Sequence, residues 1–285
     1  MMPCRFALFL APAVLSACTP APEPARPAFW QVTGPKGEQA WLLGTIHALP
    51  RPAAWRSPAI DQALGQADTV AVEVAGLADD DAVARIHARL STSPGLPSLS
   101  ARIDPALRDA LAARLKKAGQ SEADLARTET WAAALLLARA GANSGDAANG
   151  IDRAVLDLAR TKRVIEFEGA AAQLGLFDAL PEKEQRDLLG AVLRDAGDES
   201  SDLARAWRTG DFARIEAESQ RGLLADPELR LALFTARNRA WTRRIIEELS
   251  AGRRLFVAVG AAHMAGVDGL AAMLEARGLK VERVQ

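Results

Sequence analysis

Leu42-Leu43-Gly44-Thr45-Ile46-His47 and Val257-Ala258-Val259-Gly260-Ala261-Ala262-His263 share one pattern: an apolar run, a glycine, and a histidine three residues later. A short apolar run closed by glycine reads as a buried strand, so each stretch predicts a strand that delivers an imidazole from its carboxyl end. From His47 to His263 is 216 positions, so the two ends of the chain are predicted to feed one sheet. Glycine at a strand's end lets the backbone turn sharply or approach a ligand closely. In an open α/β sheet the carboxyl edge is where sites form.

Outward from these strands the pattern alternates short apolar runs with amphipathic stretches. Phe29-Trp30-Gln31-Val32 and Ala40-Trp41-Leu42-Leu43 flank the glycine-rich 33–37 and predict a hairpin. Ser57-Pro58 opens a helix to about Ala67, and Thr69 to Val74 follows as a strand, so a crossover with parallel strands is expected. The middle reads as helical: one helix from Asp104-Pro105 to a stop at Gly119, others over 129–139 and 151–160, then helices from Pro181 to Ser250. Strands are expected at 163–168, 253–259 and 280–284, and a helix at 267–276. The fold class is therefore α/β, with a mixed central sheet built from both chain ends, flanked by helices and carrying a large helical insertion. One domain over 29–285 is expected.

The first 17 residues carry a single charge, Arg5, before an apolar run from Phe6 to Leu15. That run is too short for a permanent span of about 20 residues and reads as an export signal. Leu15-Ser16-Ala17-Cys18 resembles the bacterial lipobox, which implies cleavage after residue 17 and lipidation of Cys18. Thr19 in place of Asp implies sorting to the outer membrane, with the protein facing the periplasm and held to the membrane by its lipid anchor. Prolines crowd residues 18–28, the composition of an extended tether. Loss of Cys4 with the signal leaves Cys18 alone, which excludes a cysteine nucleophile or a thiolate metal site. A net charge of −1, with 35 basic and 36 acidic residues and no tyrosine, lacks the footprint of a nucleic-acid binder.

Nucleotide-binding glycine loops, a Gly-x-Ser-x-Gly elbow and His-Glu-x-x-His are all missing. Glu73, inside the apolar 70–74, is costly to bury unless paired, protonated or bound to a cation. Two neutral imidazoles, His47 and His263, with the Glu73 carboxylate make a site for a divalent transition metal of the Mn, Co or Zn class, while a structural histidine after each strand is the plain alternative. His87, on the expected helix 79–90, reads as a solvated surface residue. Glu166 and Glu168 alternate with Phe167, and either reaches the site or lines a solvated edge. Arg237 and Asn238 hold a substrate carbonyl or carboxylate, or sit in a surface ion pair. The acidic stretches 79–81 and 195–202 read as helix starts and solvated loops.

Further motifs stand in order along the chain: Val72-Glu73, Gly150-Ile151-Asp152, Val164 to Glu168 followed by Gln173-Leu174, Ala206-Trp207 with Gly210-Asp211, and Arg237-Asn238 with Trp241. With the two Gly-x-x-His stretches, these resemble the TraB/GumN family, the group that also contains the Tiki proteases of animals. The resemblance is closest to the bacterial GumN branch and covers nearly all of 29–285. It implies a metal-dependent, peptidase-like hydrolase of the cell envelope with a peptide substrate. In that reading His47 and His263 are metal ligands and Glu73 is a ligand or general base. The resemblance also draws Glu168, Arg237 and Asn238 toward the site, where in a hydrolase Arg237 or Asn238 would stabilise the oxyanion. Glu166 departs from the small or apolar residue expected there, which leaves open which glutamate faces the site. The competing expectation is a non-catalytic envelope accessory lipoprotein, serving polysaccharide export, ligand sequestration or other envelope proteins.

Overall fold

Alternation along the strands sorts the apolar side chains into two layers, one on each face of a six-stranded sheet. A computed structural model describes residues 21–78, 80–141, 145–195 and 199–285. The signal segment, Cys18, Asp79 and parts of the loop 141–150 and the acidic stretch 195–202 lie outside the described residues.

The strands are β1 (Phe29–Thr33), β2 (Gln39–Thr45), β3 (Thr69–Val72), β4 (Arg163–Glu166), β5 (Leu255–Gly260) and β6 (Lys280–Arg283). Across the sheet they run β4-β3-β5-β2-β1-β6. β4, β3, β5 and β2 are mutually parallel, whereas β1 is antiparallel to both β2 and β6. The expected hairpin is therefore β1–β2, and β5 from the far end of the chain lies between β2 and β3. A mixed sheet assembled largely from the chain ends is what the structure shows, with β4 from mid-chain closing one edge.

On one face Trp41 and Leu43 join Phe29, Val70, Val72 and Phe256 beneath α1 (Pro58–Gln66), α5 (Ile151–Leu158) and α8 (Glu199–Thr209). On the other, Leu42, Ala71, Leu255, Val257 and Val259 meet Trp241, Ile245 and Leu249 of α11 (Ala236–Ser250) and Leu270 and Leu274 of α12 (Leu270–Glu275). The helical insertion has a third core of its own, where Leu111 and Leu115 of α3 (Arg108–Ala118) pack with Trp131 and Leu137 of α4 (Thr130–Gly141) and Leu188 and Leu189 of α7 (Glu182–Arg194).

Local chemistry sets the boundaries. Ser57 Oγ accepts from the Ile60 N–H and starts α1, and Gly119 takes φ +66° to end α3. The segment from Asp104 opens as a 3-10 turn over Pro105–Leu107, capped by the Asp104 carboxylate, before becoming α3. The strands expected to reach 74 and 168 stop at Val72 and Glu166, although the Phe167 N–H still donates to the Val72 carbonyl and the Glu168 and Gly169 N–H groups to the Glu73 carbonyl. Between them and α7 lies a helix the sequence reading did not identify, α6 (Ala170–Asp178), and α2 (Asp80–Leu90), α9 (Phe212–Glu218) and α10 (Pro227–Arg230) complete the α-helices among the described residues. Among the described residues no helix is long and apolar enough to cross a membrane.

One ion cluster ties the β4 edge to α11. Glu248, 2% exposed, accepts from Arg163 Nη1 at 2.7 Å, pairs with Arg244 Nη2 at 2.9 Å and also accepts from Arg253. Chiefly through the Arg163 hydrogen bond, its carboxyl is held down to about 2 from the ordinary 4.5. A depressed carboxylate stabilises the fold above its unfolded pKa and loses that contribution as pH falls through the folded one. Stability is therefore expected to fall by on the order of 2 kcal/mol between pH 4.5 and pH 2 on account of this group, after discounting for the exposed arginines. Urea titrations at pH 5 and pH 2.5 should show a smaller difference for Glu248→Gln than for the wild type; equal differences would rule this out.

Candidate functional site

The carboxyl ends of the four parallel strands converge on one cluster. β2 leads to His47, β3 to Glu73, β4 to Glu168 and β5 to His263. Arg237 and Asn238 enter from the first turn of α11 beneath them.

The two glycine motifs are not in register, because Gly44 sits opposite Val259 and Gly260 opposite Thr45. Neither glycine has positive φ, so close approach and not a sharp turn is what each provides. A Cβ on Gly44 would lie 2.9 Å from Ala261 Cβ. A Cβ on Gly260 would instead occupy a cradle 3.4 Å from Glu73 Oε1, 3.8 Å from His263 Cδ2 and 3.9 Å from His47 Nε2.

His47 is 69% exposed along its side chain, and its Nδ1 is bonded to Asp152 Oδ2 at 2.8 Å. Asp152, at the start of α5, is buried and also accepts from Thr45 Oγ1 at 2.5 Å. The Asp152 carboxylate raises the imidazole pKa to about 9, with water over the exposed ring edge screening part of that attraction. This leaves Nε2 as the nitrogen turned to the cleft. Gly150 makes room for the arrangement: a Cβ there would meet the His47 carbonyl oxygen at 2.3 Å.

His263 is buried, stacked on Phe234 with ring centroids 5.0 Å apart and tilted against Trp241 at 4.5 Å. Asn238, fully buried, donates its amide to the carbonyls of Asp268 (2.8 Å) and His263 (3.3 Å). Its oxygen is then the atom left to accept from His263 Nδ1 at 2.7 Å, which fixes the tautomer. Desolvation pushes this imidazole down to about 4, so it is neutral at pH 7 with its lone pair on Nε2. Arg237 Nη1 donates to that Nε2 at 3.2 Å.

Glu73 is the hub. Its Oε1 accepts from the Gly260 N–H at 2.8 Å, and its Oε2 from Arg237 Nη2 at 2.8 Å and Gln173 Nε2 at 3.1 Å. Burial pushes this carboxyl up, but the imidazoles of His263 and His47, Arg237 and the Gly260 N–H together push it further down, below the usual range. Glu168 meets Arg237 from the other side, accepting from Nε at 2.7 Å and from Nη2 at 2.9 Å, and takes the Trp241 Nε1–H at 3.1 Å. Of Glu166, which ends β4, and Glu168, just beyond it, Glu168 is the one in the cluster. Glu166 is exposed and caps the Ala75 N–H at 2.9 Å.

Two cavities flank His47. One, of about 220 Å³, is polar at its rim with Glu73, Asp152, Arg153 and Gln173. The other, of about 200 Å³, is mostly apolar and reaches Gly260 and His263. Asp152, Thr45 and Gln173 were not singled out as site residues from the sequence. Asp152 carried a signal in Gly150-Ile151-Asp152, where a glycine precedes an acid in the first turn of a helix. Gln173 carried only its place in the motif Gln173-Leu174, because α6 itself was not identified. His87 is exposed, as expected, and lies edge-on to Trp131.

The donor set fits a divalent transition metal in kind. Each imidazole has Nδ1 anchored by a side-chain oxygen, the outer-shell arrangement that orients Nε2 toward an ion. The ligand atoms of His47, Glu73 and His263 nonetheless span more than 4.8 Å, and Arg237 bridges Glu73 and His263. A second carboxylate group, Glu184, Asp187 and Asp226, has its oxygens within 4.8 Å and could hold an ion, although Lys183 already pairs with Glu184 and Asp187. The sequence reading did not foresee it.

Neither the curated proteins nor the solved structures contain a match to this chain. A family model does match, that of the TraB/PrgY/gumN family, over residues 28–283. The match spans both Gly-x-x-His motifs and all six strands, and on it the chain belongs to the TraB/PrgY/gumN family.

Proposed function

We propose that the protein is a metal-dependent hydrolase of the bacterial cell envelope that cleaves peptide bonds and is anchored through Cys18 to the outer membrane, facing the periplasm. The observation that carries this reading is the cradle over Gly260, around which His47, His263 and Glu73 present two imidazoles and a carboxylate. His47 and His263 would hold the ion through Nε2, with Glu73 as third ligand or as base. A bound ion of the Mn, Co or Zn class lowers the pKa of its water toward about 7 and polarises a carbonyl.

The chain's own residues supply the rest. Glu73, held ionised beside the cleft, accepts the proton of the attacking water and passes it to the leaving amine. Arg237 keeps Glu73 in place and offers positive charge to the developing oxyanion. Asn238, with every amide atom engaged, acts by holding the His263 ring, and Asp152 does the same for His47.

The Arg237 bridge favours a second reading, in which Glu73 and His263 are satisfied without any ion and the protein is a non-catalytic envelope accessory. The test is elemental analysis of residues 19–285 after reconstitution with Mn(II), Co(II) or Zn(II). About one equivalent is expected in the wild type and none in His47→Ala and His263→Ala, whose circular dichroism should be unchanged. A wild type that takes up no metal, with unchanged histidine variants, would leave the histidines structural and support the accessory role.

A further inference from the structure

The apolar cavity beside the histidines has a wall from which no polar group is on offer. Ile46, Leu203, Trp207, Ile215, Ala261 and Ala262 form it. The Trp207 indole N–H is already donated to the Gly44 carbonyl at 2.8 Å, and Thr45 Oγ1, at its edge, is donated to Asp152. An ionic or amide side chain directed at this wall would lose its water and find a partner only at the far rim, in the imidazoles of His47 and His263, so seating it against the wall is a net penalty. An apolar one would gain from burial. The volume, about 200 Å³, exceeds the ~150 Å³ that suffices for a benzene ring. Across His47 the other cavity differs in having ionic and amide side chains in its lining, Glu73, Asp152, Arg153 and Gln173. A chain laid over Gly260 would thus have an apolar side chain on one side of the reacting position and these ionic and amide groups within reach on the other.

We propose that this cavity is the specificity pocket of the site and takes an apolar side chain of leucine to phenylalanine size from a peptide whose scissile bond lies over Gly260. The identification of that bond rests on the hydrolase reading above; the chemistry of the pocket does not. Trp207 and Ile215 form its floor, each 1% exposed, and half-buried Leu203 on α8 and Ala262 flank its mouth. The two mouth residues set the depth available.

The test has a binding arm and a cleavage arm. In the first, N-acetyl-leucine methylamide and N-acetyl-serine methylamide are compared by saturation-transfer NMR on the metal-free protein. The leucine probe is expected to bind at least 10-fold more tightly, and Leu203→Trp and Ala262→Val, checked for native melting, are expected to reduce that preference. In the second, the Mn(II)-loaded protein is given a mixed peptide library and the cut sites are sequenced. Leucine, methionine or phenylalanine should stand on one fixed side of the cut, with a discrimination on the order of 100-fold over alanine.

Selective binding without cleavage would support the pocket while the hydrolase reading failed. Cleavage indifferent to the flanking residues would overturn the pocket while the hydrolase reading stood. Equal binding of the two probes by the wild type, or a preference unchanged in both folded variants, would overturn it in either case.

Discussion

Gly260→Ala is expected to abolish metal uptake while moving the melting temperature by no more than about 2 °C. The added methyl would sit 3.4 to 3.9 Å from Glu73 Oε1, His263 Cδ2 and His47 Nε2, ordinary contact distances that displace nothing. The backbone there, at φ −47° and ψ 133°, is open to any L-residue. Ligands to a zinc-class ion must nevertheless close to about 2.0–2.2 Å from a common centre, and the methyl would occupy the space between them. Elemental analysis and scanning calorimetry on the same sample check both halves. A variant that keeps one equivalent of metal would show that the cradle is not the metal's position, whatever the histidines do.

The second large effect concerns Arg237. Its guanidinium is 12% exposed, lies 4.7 Å over the Trp241 ring and is shared between Glu73 and Glu168. Removing it as Arg237→Leu would leave two buried carboxylates facing each other without their common cation. Breaking a buried pair in this way costs about 3–5 kcal/mol, which for a chain of this size corresponds to a fall of roughly 10 °C in melting temperature. Arg237→Lys is not expected to repair the loss, since an ammonium cannot serve three acceptors in one plane. Arg237→Leu with Glu168→Gln should recover a large part, because one of the opposed charges is gone. Urea denaturation of the three variants decides it, and a loss below about 1 kcal/mol in Arg237→Leu would mean that solvent reaches these carboxylates.

The parts of the fold legible in the sequence were those written in short apolar runs or in capping residues. β2 and β5 carry continuous apolar runs because the sheet is covered on both faces, and Ser57-Pro58 and Gly119 mark helix ends through geometry that few other residues provide. His47, Glu73 and His263 were likewise readable as chemistry out of place, whereas Glu168, Arg237 and Asn238 were drawn to the site only by the family resemblance, and the six do come together. Register was not readable. Two similar-looking motifs end up offset by one residue, with Gly44 opposite Val259 and Gly260 opposite Thr45, and in that register Gly44 lies against Ala261. Gln173 and Asp152 stood in motifs but received no role for a related reason: a polar residue on a helix near a strand's end looks the same whether it reaches the cluster or faces solvent.

The close approach of Gly44 to Ala261 also restricts how this chain can drift. A Cβ at 44 would lie 2.9 Å from the Cβ of residue 261 and 3.0 Å from its Cα, so exchanging Ala261 for glycine removes only the first of the two contacts. The backbone that follows β5 therefore holds position 44 to glycine whatever small residue stands at 261. Relatives are expected to keep glycine at 44 while 261 varies among small residues, even though neither position supplies a side-chain donor or acceptor.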